Sequence, residues 1–170
     1  MTAVQDRSTS RKRSDGLSVT VTAALCASTL AALVVLLLQY GLGIDANLYA
    51  NLPASDHGKS IFPAFAVAIT SGPDIVIAHA VLGTLLLIGA VTVLIRAVRT
   101  HSPPLIALAA LALAAIIAAW LSGARFVGTT TNGASLAMAI ATGIAILAYV
   151  VILFLVATPA ARLEPRREGA

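Results

Sequence analysis

Four long apolar stretches dominate the chain, and none of them contains Asp, Glu, Lys or Arg. They cover residues 17–40, 75–95, 105–122 and 134–157. A helix needs about 20 mostly apolar residues to cross a bilayer, and a spanning segment must satisfy its backbone hydrogen bonds internally. The pattern therefore predicts an all-α fold, an integral membrane four-helix bundle.

The connections between these stretches are unequal in length. Residues 41–73 are predicted to form a long outer loop between spans one and two, and its apolar part, residues 61–70, is too short to span a bilayer. We expect that part to lie at the interface or to re-enter the membrane, capping the bundle. Residues 1–16 and 159–170 are predicted as disordered tails, so the membrane domain covers residues 17–158.

Composition and charge narrow the class of protein and indicate its orientation. Hydrophobic residues make up 59% of the chain and charged residues 11%, whereas soluble domains carry about 25% charged residues. Nine of the 11 Lys and Arg residues lie in the two tails and in the loop between spans two and three. Because basic residues mark cytoplasmic segments, we expect a plasma-membrane protein with both termini in the cytoplasm. The same bias explains the net charge of +4 without a nucleic-acid partner.

Small residues at four-residue spacing predict which helix faces pack together, because close helix contact in a bilayer requires small side chains. The first span carries such a stripe, and so do the third and fourth. The stripes are Ala24, Ser28 and Ala32; Ala110, Ala114, Ala118 and Ser122; and Ser135, Ala139 and Gly143. We expect all three stripes to face the bundle interior.

His79 is the only histidine inside a predicted span, and it shares a helix face with Gly83. Ionisable residues in spans usually face the bundle interior, so His79 is predicted to point inward near the outer end of span two. Met138 in span four is expected at a similar depth, with polar residues close by. The candidate ligand-binding residues are His79, Gly83, Arg125, Asn132, Ser135 and Met138.

Three interpretations of His79 are open at this point. In the first, it makes a structural hydrogen bond. In the second, His79 and Arg125 together contact the polar head of a lipid or other apolar ligand beneath the outer loop. In the third interpretation it binds b-type haem, with Met138 or His57 as the second ligand.

The sequence contains no nucleophile–base pair, nucleotide fingerprint or metal motif. We therefore predict a non-enzymatic protein that contains no metal site and acts as an accessory subunit or as a binder of an apolar ligand. Haem b is the one cofactor considered. The expected partners are the lipid bilayer and either another membrane protein or a second copy of the chain.

Several residues between Gln39 and Leu155 occur in a combination that is typical of a known group of proteins. The set comprises Gln39-Tyr40, Asn47-Leu48-Tyr49, His79 with Leu82-Gly83, Gly123 with Phe126, Ser135, Met138-Ala139 and Tyr149. In this combination the chain resembles a group of small bacterial four-span membrane proteins with no assigned activity. The resemblance implies the four-span fold and the long outer loop, but no substrate. The chain departs from that group at Arg125, where the group has an Asn-Gly pair close to the following Phe.

Overall fold

The computed structural model describes residues 3–49 and 58–158, with side chains described from Thr20 onward. The described chain forms five helices and no strand. They are α1 (Ala3–Tyr49), α2 (Ile61–Thr70), α3 (Asp74–Arg99), α4 (Pro103–Thr129) and α5 (Asn132–Ala157). The all-α prediction is confirmed for these residues. Helix α1 begins within the predicted tail 1–16, whereas the predicted tail 159–170 lies outside the described residues.

Four of the helices are long and apolar enough to cross a membrane. They comprise the Thr20–Tyr49 part of α1, with 30 residues, and α3, α4 and α5, with 26, 27 and 26 residues. At a rise of about 1.5 Å per residue, each is longer than the roughly 30 Å hydrocarbon core. Each helix extends beyond the apolar stretch that predicted it, because helical hydrogen bonding does not stop where hydropathy falls.

The long outer loop 41–73 is not confirmed, because much of that segment is helical. Helix α1 continues without a break to Tyr49, and α2 occupies ten further residues. Gly41, Gly43 and Asp45 are weak helix formers in isolation, which is why the sequence predicts a loop there. In the folded chain Gly43 is buried against α3, and this tertiary contact outweighs the local preference.

Prolines and two left-handed residues mark the helix ends. Pro73 is the N-cap of α3, and Asp74 lies in its first turn, where the positive end of the helix dipole favours a carboxylate. Pro103 and Pro104 open α4, because proline lacks only an N–H that this position leaves unpaired. Helix α4 ends at Thr130, whose φ of 50° is left-handed. His101, in the short turn between α3 and α4, is also left-handed, with a φ of 54°.

The four long helices bury one apolar core. Its largest fully buried side chains are Tyr149, Leu25, Ile152 and Val93. Alanines fill much of the remaining core on α4 and α5, so the helix backbones approach closely. The structure therefore agrees with the prediction that small side chains let the helices pack closely.

Two of the three predicted small-residue stripes, however, are largely exposed. Ala32 on α1 is buried as expected, but Ala110, Ala114 and Ala118 on α4 are exposed. The buried face of α4 uses Ala109, Ala112, Ala115 and Ile116 instead. On α5, Ala139 and Gly143 are exposed, while Ala141, Ala145 and Ala148 are buried. Alanine is so frequent in both helices that four-residue spacing marks several faces at once.

Helices α1 and α3 run antiparallel and are tied by a side-chain hydrogen bond near each end. Gln39 Nε2 donates to the carbonyl oxygen of His79 at 2.7 Å, and Arg96 Nη1 donates to that of Ala24 at 2.6 Å. Helices α1 and α4 end, and α3 and α5 begin, at the same end of the bundle. We call this the α2 end. Arg96 lies toward the opposite end.

Helix α2 packs across α3 and α4 at the α2 end. It buries Ala64 and Ala68, and the segment before it is held against α4 by a hydrogen bond from Gly58 N to Gly128 O of 2.8 Å. A Cβ on Gly128 would lie 2.6 Å from the carbonyl oxygen of Lys59, so only glycine permits this approach. The short apolar segment is thus a helix that caps the bundle.

Candidate functional site

A cavity of about 240 Å³ lies among all five helices at the α2 end. Besides α2, its wall comes from residues 36–48 of α1, 76–86 of α3, 116–127 of α4 and 135–142 of α5. None of the lining residues within 3–49 and 58–158 is Asp, Glu, Lys or Arg. An engineered cavity of about 150 Å³ holds benzene, so this one has room for an organic group.

His79 lies on the cavity wall, about 7 Å along α3 from Asp74 at a rise of roughly 1.5 Å per residue. Its ring packs against α1, where a Cβ built on Gly43 would lie 3.0 Å from His79 Cε1. Ring atom Nδ1 is buried and has no hydrogen-bond partner. The structural hydrogen bond expected of the imidazole is therefore not made by this atom; the backbone carbonyl of His79 accepts one instead.

Gln39 is a site residue that sequence reasoning missed. Its Nε2 donates to the carbonyl of His79, while its Oε1 is buried without a partner. A Cβ on Gly83 would lie 2.8 Å from Gln39 Nε2, so Gly83 gives this side chain the room it needs. A signal was present in the sequence, because a glutamine inside an apolar span requires a partner.

Trp120 is the second residue that was missed, and it is the only tryptophan of the chain. Its ring lies on the cavity wall and contacts Phe65 of α2, with ring centroids 4.6 Å apart and an interplanar angle of 48°. Trp120 Nε1 donates a long hydrogen bond of 3.4 Å to Thr84 Oγ1. The aromatic contact fixes α2 above the cavity, and tilted ring pairs of this kind are favourable.

Ser135 and Met138 line the cavity from α5. A Cβ on Gly123 of α4 would lie 3.4 Å from Met138 Sδ, so the two helices approach closely at this level. The structure therefore brings together four of the six predicted residues, namely His79, Gly83, Ser135 and Met138.

Arg125 and Asn132 do not line this cavity. Arg125 is exposed and borders a separate recess with Ser122 and Thr131, and Asn132 is the exposed first residue of α5. Sequence reasoning placed both residues at the correct level of the bundle. Each residue advances about 100° around a helix, however, so Arg125 faces away from the buried Ala124 beside it. The structure therefore does not bring Arg125 to the cavity wall that carries His79.

Of the two haem-ligand pairs considered, only one lies wholly within the described residues. His79 and Met138 line the same cavity, whereas His57 lies outside the described residues. Across the described side chains, no group of three or more His, Cys, Asp or Glu residues is placed to hold a metal ion.

No protein-family model, curated protein or solved structure matches this chain at a significant level. The resemblance to bacterial four-span proteins therefore stays a prediction, with four apolar helices of spanning length in agreement with it.

Proposed function

We propose that the protein is a small, non-enzymatic integral membrane protein that binds a lipid or other apolar ligand in the cavity beneath α2. The observation that carries this proposal is the cavity, which is formed by all five helices and whose described lining contains no charged side chain. Apolar pockets with a few polar groups are the usual form of a small-molecule site. The described part of the wall offers no carboxylate to act as an acid or a base beside His79.

The proposed location is the plasma membrane, with the α2 end outside and both termini in the cytoplasm. Arg96 and Arg99 lie in the last turn of α3, at the end opposite to Lys59 and Arg125. This distribution supports the orientation because basic residues accumulate on the cytoplasmic side. A reporter fused to the C-terminus should be active only in the cytoplasm, and activity confined to the outside would contradict the proposal.

The binding proposal is tested by lipid mass spectrometry on protein purified in mild detergent. Ala119 lines the cavity, and its neighbour Ala118 is exposed outside it, so the two alanines form a matched pair. Wild type and Ala118→Leu should retain a ligand at about one per chain, whereas Ala119→Leu should retain much less because leucine occupies part of the cavity. Retention that is equal in all three proteins would contradict the proposal.

A second candidate function is that of a b-type haem protein. The observation that favours it is the presence of His79 and Met138 on one cavity wall, since imidazole and thioether are both haem ligands. An absorption spectrum of the purified protein, oxidised and reduced, separates the candidates. A colourless preparation is expected for the favoured function, and a Soret band that disappears in His79→Ala would establish the second.

An accessory-subunit role is a further candidate within the non-enzymatic class. The exposed Ala110, Ala114 and Ala118 on α4 favour it, because small residues permit a helix of another subunit, or of a second copy, to approach closely. Cross-linking in intact membranes should then trap a complex that Ala114→Leu weakens. An unchanged yield of the cross-linked complex in Ala114→Leu would exclude this face of α4 as the contact surface.

A further inference from the structure

We propose that the ligand is a long-chain amphiphile with an uncharged hydroxyl head, and that its chain leaves the cavity between α1 and α5 into the bilayer. The proposal rests on the proposed function and adds to it the chemistry of the head and the path of the chain. The unpaired polar atoms of the wall point to the head, and the exposure pattern of the wall points to the path.

The absence of charge from the wall selects an uncharged head. Among the lining residues that the structure describes, none is Asp, Glu, Lys or Arg, and Arg125 borders a different recess. Burying an ionised group without a partner is strongly unfavourable. A phosphate or a quaternary ammonium head would therefore remain in the aqueous interface and would not enter the cavity.

The hydrogen-bonding capacity of Gln39 selects a donor on that head. Its Nε2 is already engaged with the carbonyl of His79 at 2.7 Å, so the unpaired atom is Oε1, which accepts hydrogen bonds only. Nδ1 of His79 is the second unpaired atom on a lining side chain. A hydroxyl group donates as well as accepts, so it supplies the donor that Oε1 lacks. An ether or a ketone head would leave Oε1 unpaired.

The opening of the cavity follows from which wall residues are exposed. Among the described lining residues, every exposed one belongs to α1 or α5. They are Tyr40, Ile44, Asn47 and Leu48 on α1 and Ala139 on α5. Lining residues on α2, α3 and α4 are buried or half-buried. The described wall therefore faces the surroundings along α1 and α5, and we place the opening of the cavity on this side.

Side-chain contacts join neighbouring helices along the rest of the described wall, namely α1 to α3, α4 to α3 and α2, and α5 to α4. Gln39 bridges α1 to α3, and Trp120 bridges α4 both to α3 through Thr84 and to α2 through Phe65. Met138 packs close to Gly123 between α5 and α4.

The volume of the cavity requires such an opening. About 240 Å³ is below the roughly 300–1,000 Å³ of pockets that enclose a drug-sized molecule. A hydroxyl head and the first part of a chain fit, and the rest of a long chain does not. Tyr40 and Ile44 at the opening are 44% and 45% exposed, which gives the emerging chain an apolar surface beside lipid.

Trp120 allows a direct test with one chain and three heads. The protein is placed in phosphatidylcholine nanodiscs and titrated with dibrominated stearyl alcohol, its methyl ether or its phosphate monoester. Bromine near the cavity quenches the emission of this single tryptophan. We expect saturable quenching by the alcohol, at least tenfold weaker apparent affinity for the ether because Oε1 stays unpaired, and no saturable quenching by the phosphate.

Variants test the same two points. Ala139→Phe at the opening should weaken alcohol binding at least fivefold, and Ala118→Phe, on an exposed face of α4 outside the wall, should leave it unchanged. Gln39→Met should remove the preference for alcohol over ether. The alcohol–ether comparison on wild type keeps the head chemistry testable if Gln39→Met fails to fold.

Each outcome bears on a different claim. Equal saturable quenching by all three probes would overturn the hydroxyl head but leave the proposed function standing. A head preference that is insensitive to Ala139→Phe would overturn the path between α1 and α5. Quenching that is only proportional to probe concentration, for every head, would overturn the proposed function together with this inference.

Discussion

Replacing Gly83 with alanine should destabilise the contact between α1 and α3, although alanine is the better helix former. A Cβ at this position would lie 2.8 Å from Gln39 Nε2, and the amide would have to move. That movement lengthens or breaks the 2.7 Å hydrogen bond to the carbonyl of His79. Gly89, on the same helix, is the matched control, because a Cβ there would meet nothing within 4 Å.

The expected difference in stability follows from comparing the effects of the two substitutions. Each gains the helix preference of alanine over glycine, up to about 1 kcal/mol, and this gain cancels in the comparison. Only Gly83→Ala disturbs an interhelical hydrogen bond, which in membrane proteins contributes about 0.6 kcal/mol on average and up to about 1.7 kcal/mol. We therefore expect Gly83→Ala to be about 1 kcal/mol less stable than Gly89→Ala, roughly a fivefold difference in the folding equilibrium constant.

The assay is unfolding in mixed micelles of mild detergent and sodium dodecyl sulfate, followed by Trp120 fluorescence and by far-ultraviolet circular dichroism. The midpoint for Gly83→Ala should come at a lower dodecyl sulfate fraction than that for Gly89→Ala. Ligand retention should fall in Gly83→Ala as well, because Gln39 carries one of the two unpaired atoms on the cavity wall. Equal stability of the two variants would refute the close contact between α1 and α3 at this position.

Two further predictions concern Gly43, tested by fluorescence quenching, and Tyr149, tested by unfolding. Gly43→Ala would place a Cβ 3.0 Å from His79 Cε1 and should weaken quenching by the brominated alcohol several-fold, whereas Gly41→Ala, whose Cβ meets nothing within 4 Å, should not; equal effects would contradict the packing of His79 on α1. Tyr149 is fully buried with an unpaired hydroxyl, so Tyr149→Phe should leave the unfolding free energy unchanged or raise it by about 1 kcal/mol; a loss of that size would reveal a partner for the hydroxyl.

The spans were predictable from the sequence because hydropathy over 20 residues is a local property. The position of His79 on the cavity wall also followed from local reasoning, since a polar residue avoids lipid. The extension of α1 to Tyr49 was not predictable in this way. Gly43 joins the helix because α3 packs against it, and that contact joins positions far apart in the chain.

The depth of the candidate-site residues in the bundle was predictable from the sequence, but the side of the helix on which each residue faces was not. Residues at one level of the bundle were grouped correctly, yet Arg125 and Asn132 face away from the cavity. Direction around a helix needs the positions of its neighbours, and an alanine-rich sequence supplies few large side chains to indicate them. Gln39 and Trp120 were missed because their roles depend on contacts with His79 and Phe65, on other helices.

The unpaired polar atoms of the described residues are of two kinds: some lie in the packed core, and others belong to side chains that line the cavity. Thr29 Oγ1 and Tyr149 Oη lie outside the cavity wall, so no cavity ligand reaches them, whereas Gln39 Oε1 and His79 Nδ1 belong to side chains on that wall. An unpaired atom in the packed core is a lasting cost to stability. One at a cavity wall costs stability only until a ligand pairs with it. It follows that supplying these two atoms with protein partners would stabilise the empty protein and weaken binding, so stability and ligand affinity oppose each other at this wall.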